Sequence, residues 1–187
     1  MILQANFGRM AAILVLAVAA LAACSNAQVR NSGASTIALQ AVLNDSISVT
    51  LSGNAVNFNL IAGSANNAGS TSVTATTAWT LKPGVRNLRL YAFFSNSASA
   101  LTDGVGDNIP SSDFQISDNG GPFAALTNSV PFGGANAGLL LSRTRIRARN
   151  RSGSRTDVLN FNINLSTLPN LPPGTYTGTL TIQAQAI

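Results

Sequence analysis

Two alternating stretches near the end of the chain decide its fold class: Leu159-Asn160-Phe161-Asn162-Ile163-Asn164-Leu165 and Tyr176-Thr177-Gly178-Thr179-Leu180-Thr181-Ile182-Gln183-Ala184. In both stretches every second residue is Asn, Thr or Gln. The residues between them are apolar, except for Gly178. Strict alternation places the apolar side chains on one face of an extended strand, as in sheets that bury a single face. These stretches therefore predict half-buried strands.

The same period of two recurs upstream, at 37–43, 47–51, 56–60, 73–81, 88–94 and 114–116. Clusters of Gly, Pro, Asn and Ser separate these segments, as in Asp118-Asn119-Gly120-Gly121-Pro122. Such clusters are turn signals, because glycine permits positive φ and proline restricts φ. After residue 28 no segment keeps a helical apolar period. The pattern predicts an all-β fold, an immunoglobulin-like antiparallel sandwich of seven to nine strands spanning 36–187, after a flexible lead-in at 28–35.

The first 27 residues are typical of an export signal. Arg9 precedes an uninterrupted apolar run at 10–23, which is shorter than the roughly 20 residues of a membrane-spanning helix. Two cleavage sites compete. Leu21-Ala22-Ala23-Cys24 resembles a bacterial lipobox, in which Cys24 would be lipidated, whereas Ser25-Asn26-Ala27 is an ordinary small-residue site. We expect an extracellular or outer-envelope protein that meets the membrane only through its signal or a lipid anchor.

The composition excludes most enzyme chemistry. Among its 187 residues the chain has no His, a single Cys, and six acidic residues, all of them Asp. A Ser-His-Asp triad and a His-ligated zinc are therefore ruled out, and no catalytic constellation is recognisable. We expect a non-enzymatic protein with no cofactor and no catalytic metal.

Five arginines recur at every second position: Arg143, Arg145, Arg147, Arg149 and Arg151. On one strand their guanidinium groups would share a face at intervals of roughly 6.6 Å. Two interpretations remain open. The face is either a solvated surface that protects a sheet edge from aggregation, or a binding strip for an anionic polysaccharide. We do not expect specific nucleic-acid recognition, because no aromatic residues are interleaved for base stacking.

Two further patterns could indicate binding sites, one for calcium and one for a sugar or a neighbouring subunit. The segment 103–108 contains Asp103, Asp107 and Asn108 among glycines. These residues could supply oxygen ligands to calcium, with further ligands from Asp113 and Asp118. Alternatively, the segment is a turn capped by its own aspartates. Tyr91 and Phe93 alternate with the apolar stripe of their strand, which predicts exposed aromatic rings. They are either ordinary surface residues or a contact for a sugar or a neighbouring subunit.

The stretch Pro172-Pro173-Gly174-Thr175-Tyr176-Thr177-Gly178-Thr179-Leu180-Thr181-Ile182 resembles the closing strand of spore-coat-protein-U-like and related chaperone–usher pilin domains. The resemblance implies an exported immunoglobulin-like sandwich that polymerises by donating a strand to the next subunit. The stripe Ile37, Leu39, Ala41 and Leu43 would be the exchanged strand. The leading prediction is thus a cell-envelope structural or adhesion subunit whose partners are other proteins or copies of itself. The alternative is a module that binds an anionic glycan or surface polymer through the arginine-rich segment.

Overall fold

The computed structural model describes residues 37–42 and 44–187. Every strand lies within Val42–Ile187, which forms one compact unit. The signal segment 1–27 with Cys24, the lead-in 28–35 and Leu43 lie outside the described residues. Within those residues no helix has the length and hydrophobicity needed to cross a membrane.

The architecture is an all-β sandwich, which confirms the predicted fold class. Seven strands have five or more residues and four have two. In chain order they are β1 (Ser46–Leu51), β2 (Asn67–Ala68), β3 (Val73–Thr80), β4 (Asn87–Phe93), β5 (Leu101–Thr102), β6 (Asn108–Ile109), β7 (Phe114–Asp118), β8 (Ala124–Ala125), β9 (Gly138–Arg145), β10 (Ser152–Ile163) and β11 (Thr181–Ala186). Among the described residues, the one helical element is a 3₁₀ turn at Ala148–Asn150.

All strand pairs are antiparallel. One sheet has the order β1-β3-β10-β7-β8, with β2 paired to the far end of β10. The second sheet has the order β11-β4-β9, and β5 and β6 form a separate hairpin. Alternation explains the layers, since each strand turns its apolar residues toward the opposite sheet. In β3 the inward residues are Val73, Ala75, Thr77 and Trp79, and in β10 they include Leu159, Phe161 and Ile163.

The core has two parts. The larger part contains an aromatic group in which the ring of Phe114 contacts Phe94, Phe58 and Phe161, with ring centroids 5.1, 5.8 and 6.1 Å apart. The smaller part lies at one end and comprises Trp79, Leu81, Leu88 and Ile146. Through Ile146 this second cluster contacts the arginine-rich segment described below.

Three predicted strands are shorter than expected or do not form. The prediction of a strand at 56–60 is wrong: Phe58 makes only an isolated bridge to Gly69, and the carbonyl of Asn57 accepts a hydrogen bond from the main-chain N–H of Ser70 at 2.8 Å. No strand forms at 37–42, where all six residues are exposed and outside any ladder. The segment predicted to be one strand from Tyr176 becomes β11 only at Thr181. Upstream of that point the main chain of Thr177 pairs with Thr102 of β5, with N···O distances of 2.9 Å in both directions. Thr177 is therefore paired with β5, and the pairing with β4 begins only at Thr181.

Candidate functional site

An open edge lies where the first and last strands meet. β1 is hydrogen-bonded only to β3, and β11 only to β4, among the residues that the structure describes. The two strands belong to different sheets and lie next to one another. Their outer main-chain N–H and C=O groups therefore form two neighbouring rows that can pair with an added strand.

The apolar side chains beside this edge are incompletely covered. Val49 of β1 and Ile182 and Ala184 of β11 pack against the core, yet each remains half-buried. Ile47 and Leu51 of β1 are exposed. The apolar side chains along the line between β1 and β11 are thus incompletely covered.

The predicted exchange stripe is exposed at the three of its four positions that the structure describes. Ile37 is 84% exposed and Leu39 is 91% exposed, and the side chain of Ala41 is exposed as well. Leu43, the fourth residue of the stripe, lies outside the described residues, and the neighbouring Val42 is also exposed. Large aliphatic side chains in water are unfavourable, so burying them would release roughly 1.5–3 kcal/mol each.

The arginine-rich segment does not form one continuous strand. Arg143 and Arg145 belong to β9, which ends at Arg145, and Arg147 begins the turn that leads through Arg149 to Arg151. The expectation that five guanidinium groups share one strand face is therefore wrong. The strand ends because the chain enters a 3₁₀ turn at Ala148–Asn150, which the side chain of Asn150 fastens to the main chain of Arg145 and Arg147.

A cleft replaces the predicted strip. It is lined by Arg86, Asn87, Arg143, Arg145, Ile146 and Arg147, and has a volume of about 790 Å³. We call this the arginine cleft. Arg149 and Arg151 do not line it. Arg86 was not found from the sequence, because it lies 57 positions before Arg143 and meets β9 only through the pairing of β4 with β9.

Hydrogen bonds hold the turn below the cleft in place. The side chain of Asn150 accepts a hydrogen bond from the main-chain N–H of Arg147 at 2.6 Å and donates to the carbonyl of Arg145 at 2.9 Å. The indole N–H of Trp79 donates to the carbonyl of Asn150 at 2.9 Å. The turn is thus fastened to the core at its far end.

Arg155 has a different role from the other arginines of this region. Its Nη2 lies 2.7 Å from a carboxylate oxygen of Asp157 and 3.9 Å from one of Asp118. Asp157 is fully buried and also accepts hydrogen bonds from Asn119 and from Ser142. Arg155 is therefore part of a structural ion-pair network.

The prediction that Tyr91 and Phe93 form an exposed aromatic contact is wrong. Tyr91 is 3% exposed and Phe93 is 9% exposed. Phe132, in the connection between β8 and β9, packs against both rings at centroid distances of 6.0 and 5.8 Å. Gly133 makes this possible, since a Cβ there would collide with the Phe93 ring.

In the segment 103–108 the carboxylate of Asp103 is occupied by the main chain. One oxygen accepts hydrogen bonds from the N–H groups of Val105, Asp107 and Gly106 at 2.9, 3.0 and 3.1 Å. The bond from Val105 contributes most to holding the pKa of Asp103 below its usual value. This is the capped turn, the second of the two sequence interpretations.

The other two aspartates named with that segment lie in different hydrogen-bond networks. Asp113 accepts a hydrogen bond from Thr167 at 2.8 Å, and Asp118 belongs to the Arg155 network. Across 37–42 and 44–187, no group of three His, Cys, Asp or Glu side chains converges in a metal-binding arrangement.

Neither models of known protein families nor curated proteins match this chain. Function is therefore inferred from the open edge and the arginine cleft.

Proposed function

We propose that the protein is an exported structural subunit of the cell envelope that assembles with copies of itself by strand exchange. The apolar segment before β1 of one copy would add to the open edge between β1 and β11 of the next. The observation that carries this proposal is that one chain has both an exposed apolar stripe and an uncovered sheet edge.

Strand exchange would be favourable for both the donated segment and the edge that accepts it. Main-chain hydrogen bonds along an added strand supply affinity, and alternate side chains that enter pockets supply register. Ile37 and Leu39 would leave water, and Val49 and Ile182 would lose their remaining exposure. Both changes favour association through the hydrophobic effect.

The test uses the exported product of the full 187-residue chain. Mass spectrometry gives its N-terminus and distinguishes lipidated Cys24 from cleavage before Gln28. Size-exclusion chromatography with light scattering then gives its mass. We expect polymers that an excess of a peptide of residues 35–45 reduces to capped monomers.

A matched pair of variants identifies the segment responsible. Ile37→Asp with Leu39→Asp should give monomers, because charged side chains cannot enter an apolar site without a partner. Ile61→Asp with Val105→Asp places two charges at other exposed aliphatic positions and should polymerise like the original chain. Monomeric wild-type protein, or equal polymerisation of both variants, would overturn the proposal.

A further inference from the structure

The arginines that line the cleft are exposed and form no ion pairs among the described residues. All six aspartates fall within the described residues, and the ion pairs there involve only Lys82 and Arg155 as cations. The cleft arginines therefore have no carboxylate within ion-pair distance in the part of the chain that is described. Four arginines line one side of this open cleft, together with Asn87 and Ile146.

The register of the second sheet adds a fifth positive charge beside the cleft. Arg89 of β4 pairs directly with Arg143 of β9, and like charges opposite each other destabilise a sheet. The Nε of Arg89 is buried and has no hydrogen-bond partner among the described residues. A bound anion would relieve the repulsion between the two side chains.

The cleft is also held in a fixed shape. Ile146 anchors its floor in the core, and the main-chain N–H of Ile146 donates to the carbonyl of Arg86 at 2.9 Å. Arg143 donates from Nε to the side-chain oxygen of Asn87 at 2.9 Å. Together with the Asn150 contacts, these bonds fix the main chain that carries the arginines, so that binding a ligand need not order the main chain as well.

The chemistry of the lining indicates the class of ligand. Planar guanidinium groups bind phosphate and sulfate oxygens in pairs, which a single ammonium group cannot do. Amides accompany them: Asn87 lines the cleft, and Gln185 of β11 pairs with Arg89 in the adjoining row. Amides are suitable partners for hydroxyl groups. No aromatic residue lines the cleft for base stacking.

We infer that the arginine cleft binds a saccharide that carries phosphate or sulfate esters, with Arg86, Arg143, Arg145 and Arg147 as the ester-binding residues. The four arginines lie at the ends of β4 and β9 and in the turn after β9, whereas the stripe precedes β1, so the two sites use different residues. A variant that no longer assembles, such as Ile37→Asp with Leu39→Asp, is expected to bind the saccharide normally.

The experiment measures binding of a fluorescently labelled heparin hexasaccharide to the exported product of the full chain by anisotropy. Arg145→Ser with Arg147→Ser should weaken binding about tenfold or more, because each loses charge-assisted hydrogen bonds. Arg149→Ser with Arg151→Ser removes the same charge from the same segment outside the cleft, and should change affinity less than about threefold. Thermal unfolding checks that each variant is folded.

A charge-preserving variant separates a defined site from general attraction. Arg145→Lys with Arg147→Lys keeps the net charge and should still weaken binding severalfold, because the paired guanidinium contacts are lost. If the serine variant does not fold, the lysine variant tests the inference, and unchanged affinity in the lysine variant would contradict it.

Three results would overturn the inference. They are no binding of the hexasaccharide, equal losses in the two serine variants, and duplex DNA of matched charge binding as tightly as the hexasaccharide. Loss of binding on removing the sulfates is the expected result.

Discussion

Among single residues, Gly178 shows how closely the last part of the chain approaches the hairpin β5–β6. A Cβ at this position would collide with the carbonyl oxygen of Ala100. The collision partner is main chain, which cannot rotate away as a flexible side chain would. Gly178 therefore permits the pairing of Thr177 with Thr102 that directs the chain toward β11.

Replacing this glycine tests that constraint. Gly178→Ala should destabilise the protein by about 1–3 kcal/mol, the usual cost of forcing an extra carbon into a packed site. Urea unfolding measures the change. Gly53→Ala is the control, because nothing lies within 4 Å of its Cβ position and its φ is not positive. Equal losses in both variants would show that the contact with Ala100 is unimportant.

Between elements, a polar bridge links the two sheets. Asp157 of β10 accepts a hydrogen bond from Ser142 of β9 at 3.1 Å, across the sandwich. Asp118, at the end of β7, lies 3.9 Å from the guanidinium group of Arg155, which also forms an ion pair with Asp157. Burial raises the pKa of Asp118, the negative charge of Asp157 raises it further, and Arg155 opposes both effects. Ionised Asp118 is therefore less favourable in the folded than in the unfolded protein.

This shift has a definite consequence for stability. Between the unfolded pKa near 3.8 and the raised folded pKa, the folded state binds more protons, so stability contributed by Asp118 falls as pH rises through this window. Asp118→Asn removes the titration. Urea unfolding from pH 3.5 to 7 should show the variant gaining stability relative to wild type as pH rises. A constant difference, or one of opposite sign, would contradict the assignment.

Across the whole molecule, the two proposed activities depend on different forces. Strand exchange would bury aliphatic side chains, whereas the arginine cleft attracts charge on a chain whose formal net charge is +5. Salt screens interactions between exposed charges, with a Debye length of about 10 Å at 0.1 M, and has little effect on apolar burial.

Ionic strength should therefore separate the two activities in one preparation. Raising NaCl from about 0.05 to about 0.5 M should weaken hexasaccharide binding at least tenfold, while polymer mass measured by light scattering stays constant. Sodium perchlorate at equal ionic strength serves as a check that the effect on binding is screening. Polymers that dissociate in parallel with the saccharide would indicate that assembly also depends on the arginines.

The sequence alone determined the all-β class and the inward residues of strands such as β3 and β10, because alternation is local and each strand carries its own pattern. It also indicated the apolar stripe at 37–43 and the basic segment after Ser142. Only the tertiary structure decided which strands are edges, that Arg86 joins Arg143 while Arg155 does not, and that Phe132 covers Tyr91 and Phe93. Those outcomes depend on pairing between distant parts of the chain, which no local pattern specifies.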